Sequence, residues 1–391
     1  MFKRKLQIKL PSRQSAFLWG ARQTGKSYFL KQHFKNSFCY DLLDTREVMR
    51  FIREPHLLRE EVLAMNSNTL SYPIIIDEVQ KVPELLNEVH WLIENTKIQF
   101  ILCGSSARKL KTRATNLLGG RAWQYNFYPL LQNEIPKFNL LRALSHGLIP
   151  NHYLAENENI NDHLQAYVDV YLTDEIRNEG LVRNLPGFAR FLDVAGMING
   201  EMINANNIAR DCGINRATVS EYYQILVDTL LGYFIYPYNK KIKRDLIAST
   251  PKFYLFDVGV ANYLAHQTVN SLKGMAAGKS FEHFLLMELI AFRGLNRKKF
   301  PITYWRTKTG LEVDFILGNA SVAIEVKISY QVHQQDLKGL IAFCEEHPQT
   351  KAIVVSQDKN PRKLKINDET TITILPWKTF LRQLWQAEII N

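Results

Sequence analysis

Cysteine is scarce: Cys39, Cys103, Cys212 and Cys344 stand far apart, with no paired spacing. That excludes a disulfide framework and a thiolate zinc site, and sets the expectation of a reducing cytoplasm. No run of about 18 apolar residues occurs, so no transmembrane helix is expected. Met1–Leu6 is basic but lacks the apolar stretch of a secretory signal. Internal repeats and low-complexity tracts are missing as well. No residue cluster reads as a pocket for a small metabolite. Acid is short relative to base: 38 Asp and Glu against 49 Lys and Arg leave a net charge of +11. Such a surface attracts polyanions, of which nucleic acid is the commonest.

What is present falls into three stretches of the 391 residues. The first, 1–138, alternates apolar runs (Ser15–Trp19, Pro73–Asp77, Ile98–Cys103) with amphipathic segments. That alternation predicts a parallel sheet covered on both faces. The second, 139–265, has helical spacing over Leu164–Ile176, Phe188–Met197 and Val219–Leu231. In the third, 266–391, a helix at Phe281–Phe292 precedes strands at Thr303–Arg306, Val313–Leu317, Val322–Ile328 and Ala352–Val355. The expected class is α/β: a parallel-sheet P-loop domain, a helical winged-helix region and a C-terminal α/β domain.

The chemistry starts at Gly20-Ala21-Arg22-Gln23-Thr24-Gly25-Lys26-Ser27, a full G-x-x-x-x-G-K-[ST] pattern between a predicted strand and a predicted helix. Its glycines permit a tight loop whose N–H groups, with the helix N-terminus, form an anion site. Lys26 is expected on the β- and γ-phosphates of ATP, and Ser27 on Mg²⁺. Ile74–Glu78 is a buried strand ending in two carboxylates. Asp77 suits Mg²⁺, and Glu78 suits activation of the attacking water. Ser105 and Ser106, after the next strand, can sense the γ-phosphate. Arg121, in a Gly-Gly-Arg turn, is a candidate charge-stabilising arginine in the same or a neighbouring subunit.

The middle stretch carries a helix-turn-helix pattern. Asn206–Asp211 reads as the first helix, Gly213 as the turn and Asn215 as the cap of the second helix. Ile208, Ala209, Ile214, Val219 and Leu226 would pack the pair. Arg216, Thr218, Ser220 and Tyr223 would then face a groove of DNA. Gly232–Tyr238 and Lys252–Phe256 read as wing strands. Between them Lys240, Lys241, Lys243 and Arg244 would meet phosphates. Packing of domains or bridging of subunits is the alternative use of such a module.

In the last stretch Asp314 and Glu325 lie on predicted strands. Glu325 and Lys327 share one strand face, and Glu282 approaches from the preceding helix. This is the restriction-endonuclease-like arrangement, in which Glu282, Asp314 and Glu325 hold Mg²⁺ and Lys327 stabilises charge or activates water. His333 and His347 receive no role.

In combination, Gly20–Ser27, Asp77–Pro83, Cys103–Ser106, Gly120-Arg121, Lys252–Asp257, Trp305-Arg306, Glu312–Asp314 and Glu325–Lys327 resemble a family spread over most of the chain. They are similar to the bacterial and archaeal AAA-type P-loop ATPases with a C-terminal winged-helix and PD-(D/E)xK nuclease-like region. The resemblance implies an oligomeric cytoplasmic ATPase and strengthens Arg121, since a Gly-Arg pair recurs there. The expected function is ATP hydrolysis in work on DNA, with repair, recombination and defence as candidate settings. A regulatory ATP switch with an inert nuclease fold is the alternative, and a metal-dependent nuclease gated by the ATPase is a third reading.

Overall fold

The computed structural model describes residues 2–105, 118–172, 182, 184–240, 249–368 and 370–390. Ser106, Lys241, Lys243 and Arg244, together with residues 173–176 of an expected helix, lie outside the described residues. The chain divides into two compact units, Met1–Pro136 with Gln224–Leu231, and Lys137–Tyr223 with Gly232–Asn391.

In the first unit the strands are β1 (Ser15–Trp19), β2 (Cys39–Asp41), β3 (Ile74–Asp77), β4 (Phe100–Gly104) and β5 (Ala122–Asn126). Their order is β2-β3-β4-β1-β5, and every pairing is parallel. β1, β3 and β4 are buried at each position, as a sheet covered on both faces requires. Helix Leu85–Asn95 supplies cover by burying Leu85, Leu86, Val89, Leu92 and Ile93, one stripe of a 3.6-residue period. These join Phe17, Trp19, Ile76 and Leu102 in one core. Because β4 lies between β1 and β3, the C-terminal ends of all three strands emerge side by side on one sheet edge.

Helix Leu185–Met197 of the second unit precedes the pair Ala205–Cys212 and Arg216–Asp228, of which the residues from Gln224 onward are counted with the first unit. Gly213 takes the left-handed conformation, φ 65°, that the intervening turn demands. Asn215 caps the second helix of the pair by accepting the Thr218 N–H at 2.8 Å. The stretch expected as one helix over Leu164–Ile176 is instead Ile160–Ala166 followed by a π-helix over Tyr167–Leu172. Strands β6 (Gly232–Pro237), β7 (Lys252–Leu255), β8 (Ile302–Arg306), β9 (Glu312–Leu317), β10 (Val322–Lys327), β11 (Lys351–Ser356), β12 (Arg362–Lys365) and β13 (Thr371–Pro376) form one sheet. Its order is β12-β13-β11-β10-β9-β8-β6-β7. Helix Gly274–Leu295 is buried along most of its length.

This sheet corrects the wing. β6 and β7 do pair antiparallel, but Tyr236 and Pro237 of β6 also pair with Thr303 and Tyr304 of β8. The backbone groups on that side of β6 find partners on β8, so the hairpin is the edge of a larger sheet rather than a free wing. The sheet also runs through the expected boundary at 265/266.

Asp257, which follows β7, clasps this unit. It is 2% exposed. One oxygen caps helix Val258–Leu264 through the Val260 N–H at 3.1 Å, and the other accepts the Leu148 N–H at 2.6 Å. Burial lifts its pKa to about 6, against the pull of those amide donors. Asp257→Ala leaves the amides buried and unpaired. It should cost about 2–4 kcal/mol, read as a lower denaturant midpoint at unchanged slope.

Candidate functional site

The phosphate loop leaves β1 and enters helix Lys26–His33. Close approach explains its first glycine: a Cβ on Gly20 would collide with the Phe127 carbonyl. Gly25 stands at φ 97° and Gln23 at φ 59°, so the loop turns through two left-handed residues. Thr24 is fully buried, and its hydroxyl donates to the Ala21 carbonyl at 2.8 Å. Lys26 is 5% exposed, and its ammonium donates to the Gly20 and Ala21 carbonyls at 2.7 and 3.0 Å. A cation is thus held inside a ring of backbone at a helix N-terminus, and these residues fit a phosphate group. Ser27 and Asp77 line one small cavity of about 110 Å³, where a hydroxyl and a carboxylate suit a hydrated Mg²⁺.

The loop rests on a residue for which the sequence pattern carries no signal. Arg4 donates to the Thr24 carbonyl at 2.8 Å, to the Tyr128 and Pro129 carbonyls, and to Glu134 at 2.8 Å. Its guanidinium also lies 4.0 Å from the centre of the Phe127 ring. Burial pulls its pKa down, and the Glu134 charge opposes that shift. No motif marks Arg4, because its partners are carbonyls 20 to 125 positions away in the chain.

At the neighbouring strand ends, Asp77 accepts the Glu78 N–H at 3.1 Å. Glu78 itself is left-handed, φ 57°. Its Oε2 accepts from the Gln80 amide and from the Ser105 hydroxyl, the latter at 3.4 Å. The structure therefore brings Lys26, Ser27, Asp77, Glu78 and Ser105 to one edge.

Arg121 is elsewhere. Ser15 at the start of β1 pairs with Ala122, and its N–H donates to the Arg121 carbonyl. Arg121 thus sits at the N-terminal edge of the sheet. At about 3.3 Å per strand residue, the loop beginning at Gly20 is roughly 16 Å farther on. The Arg121 guanidinium pairs with Glu94. Action on its own loop, one of the two expected modes, is excluded by strand direction.

On the helix-turn-helix, Arg216 and Ser220 are exposed and Thr218 is half-buried. Tyr223 requires a correction. It is 1% exposed, with its ring against Phe191 and Phe253, so it serves the core rather than a groove. Lys240 is exposed.

In the second unit the expected nuclease-like residues gather at the ends of β9 and β10. Glu325 pairs with Lys327 at 2.7 Å. Asp314 accepts the Val326 N–H at 2.7 Å. Glu282 accepts from the Tyr254 hydroxyl and lies 3.7 Å from Lys252. Lys252 also pairs with Glu312, which Arg306 holds at 2.7 Å. Burial works against the Lys252 charge, but Glu282 and Glu312 outweigh it and raise the pKa. Among the described residues, no three His, Cys, Asp or Glu side chains form a group that could hold a metal ion. Of the expected metal set, Glu282 and Glu325 have cationic neighbours in Lys252 and Lys327, while Oε2 of Glu325 is buried with no hydrogen-bond partner. Lys252, Tyr254, Arg306 and Glu312 line a cleft of about 460 Å³ beside Glu282. In the sequence the first two stood out only as part of an expected wing strand and of the family resemblance, with no role of their own.

Residues 12–136 match the model of the AAA domain. Residues 137–271 and 277–380 match two domains of unknown function, DUF8612 and DUF4143. An uncharacterized protein of Methanocaldococcus jannaschii is 23% identical, over 96% of this chain and 90% of its own length. A solved structure of the Aeropyrum pernix ORC1 protein in complex with DNA shares 12% identity. It covers 65% of this chain and 86% of that one at a TM-score of 0.23, which is too low to define a shared fold. The stretch 12–136 is thus similar to AAA domains, with the P-loop at Gly20–Ser27. Among the described residues no helix is long and apolar enough to cross a membrane.

Burial and the neighbouring Glu325 and Glu282 raise Asp314 well above the usual carboxylate range, and burial raises Glu325 to about 7 against the pull of Lys327. Both groups hold their protons to higher pH in the fold than in the unfolded chain, where they titrate near 3.8 and 4.5. Their contribution to stability is complete below those unfolded values and is lost as pH rises through the folded ones, about 7 for Glu325. Asp314→Asn keeps an acceptor for the Val326 N–H without the charge. It should raise the melting temperature at pH 8 and lose that advantage by pH 4.

Proposed function

We propose that this protein is a Mg²⁺-dependent ATPase whose turnover drives work on DNA. The observation that carries the reading is the meeting of Gly20–Ser27, Asp77, Glu78 and Ser105 along one sheet edge. The backbone of Gly20, Ala21, Arg22, Gln23, Thr24 and Gly25 cradles the phosphates, and Lys26 neutralises their charge. Ser27 and Asp77 hold Mg²⁺. Glu78 takes a proton from the attacking water, and Ser105 contacts the γ-phosphate. Arg121 completes the site of a neighbouring copy, which makes the working form a homo-oligomer, placed in the cytoplasm.

Contact with DNA is supported by the net charge of +11 and by a capped second helix with Arg216, Thr218 and Ser220 on its outer side. The basic run from Lys240 through Lys241 and Lys243 to Arg244 adds phosphate contacts. The carboxylates of the second unit act as a lysine-neutralised cluster rather than a cleavage centre.

Lys26→Ala should abolish ATP binding. Glu78→Gln should bind ATP with near-native affinity while turnover falls about 100-fold or more. Retained turnover in Glu78→Gln would remove Glu78 as the base.

ATPase rates with single-stranded, duplex and branched DNA test the second half of the reading, and stimulation by at least one form is expected. The double variant Arg216→Glu, Lys240→Glu should weaken DNA binding and flatten its logarithmic salt dependence by about 2. A rate that no DNA form moves, with unchanged affinity in the variant, would take DNA out of the function.

A further inference from the structure

Gln80 sits two residues beyond Glu78, in the one-turn helix Val79–Lys81. It is 9% exposed, although it is a polar side chain at the rim of a sheet. Its amide nitrogen has two acceptors. One is Oε2 of Glu78 and the other is the Ser105 hydroxyl oxygen at 3.0 Å. The Ser105 hydroxyl then donates its hydrogen to the same Glu78 oxygen at 3.4 Å. The ring is consistent in direction: one amide hydrogen and the hydroxyl hydrogen meet a carboxylate that can only accept, and the second amide hydrogen meets the hydroxyl oxygen. The reverse amide orientation would set an oxygen against the carboxylate.

The amide is also locked in place. Gln80 Oε1 is buried with no hydrogen-bond partner. It lies over Gly104, the last residue of β4, where a Cβ would collide with it. An amide oxygen left without a partner in the interior costs stability. Packing alone would favour an apolar residue in that slot, so what the amide adds is its two N–H donors. They tie Glu78, at the end of β3, to Ser105, at the end of β4. Glu78 is thereby held through Oε2, and Oε1 makes no hydrogen bond with any described residue.

We infer that Gln80 is a positioning residue for hydrolysis: it anchors one oxygen of Glu78 to the strand end carrying Ser105 and presents the other oxygen to the attacking water. This rests on Glu78 being the base. A base held in one orientation keeps its free oxygen in line with the reaction. The Gln80 amide hydrogen-bonds Glu78 and Ser105 and none of the described phosphate-loop residues or Asp77, so its loss is expected in turnover rather than in ATP affinity.

The test is steady-state ATPase kinetics and ATP affinity of the full chain carrying Gln80→Met. Methionine keeps the volume over Gly104 and removes both donors. The expected result is a kcat lowered at least 10-fold with KM and ATP affinity within twofold of the parent. Gln80→Ala should behave alike, and melting temperature with and without ATP confirms that each variant folds and binds. The double variant Glu78→Gln, Gln80→Met should be no slower than Glu78→Gln alone, since Gln80 acts through Glu78. A role in packing only would add its loss to that of Glu78→Gln. Native kcat in a folded, ATP-binding Gln80→Met, alongside an inactive Glu78→Gln, overturns the inference and leaves Glu78 as the base. Native turnover in Glu78→Gln overturns both.

Discussion

The order of three parallel strands is the constraint on which the nucleotide site depends. Strands about 4.8 Å apart bring their ends within side-chain reach only if they are neighbours and point the same way. β4 between β1 and β3 meets both conditions. Trp19 hands the chain to the phosphate loop, Gly104 to Ser105, and Asp77 to Glu78, all on one edge. The same direction sends Arg121, at the start of β5, to the opposite edge. One topological fact therefore brings the loop, the two acids and Ser105 together and sets the arginine apart from them.

Buried charge is handled in the two units by the same physics. A charge removed from water is tolerated when opposite charge and donors surround it. In the first unit Arg4 and Glu134 satisfy each other and a set of carbonyls, and this pair braces Thr24 of the loop. In the second unit Lys252, Arg306 and Lys327 neutralise Glu282, Glu312 and Glu325. The pattern Asp-x-n-Glu-x-Lys leads one to expect a divalent ion among these carboxylates. An ammonium from β7 enters the same cluster, beside Glu282 and Glu312.

The loop, the acid-tipped strand and the helix-turn-helix were legible because each is local. A phosphate loop needs its glycines and lysine within eight positions, and a helix cap needs its donor three residues away. Asn215 and Gly213 behave as the sequence indicates for that reason. Tyr223 was misread because helical spacing gives a direction only relative to its own helix. Whether that direction meets solvent or Phe191 and Phe253 depends on segments far along the chain. The wing was misread for a similar cause: a hairpin is local, but β6 gains a second partner in β8, some 65 residues later.

The amino-acid sequence by itself determined the phosphate-loop geometry of the first unit, since contiguous residues shape that cradle through backbone geometry alone. It determined Asp77 and Glu78 as the acids of that site, because an apolar strand that ends in carboxylates can expose them only at a sheet edge. The tertiary structure alone decided that Gln80 and Ser105 hold Glu78, that Arg4 carries the loop, that Arg121 faces away from it, and that Lys252 sits among the carboxylates. Each of these is a contact between side chains brought together by strand order. Such contacts follow from which strands are neighbours, and that is settled by burying the whole sheet at once rather than by any single stretch of residues.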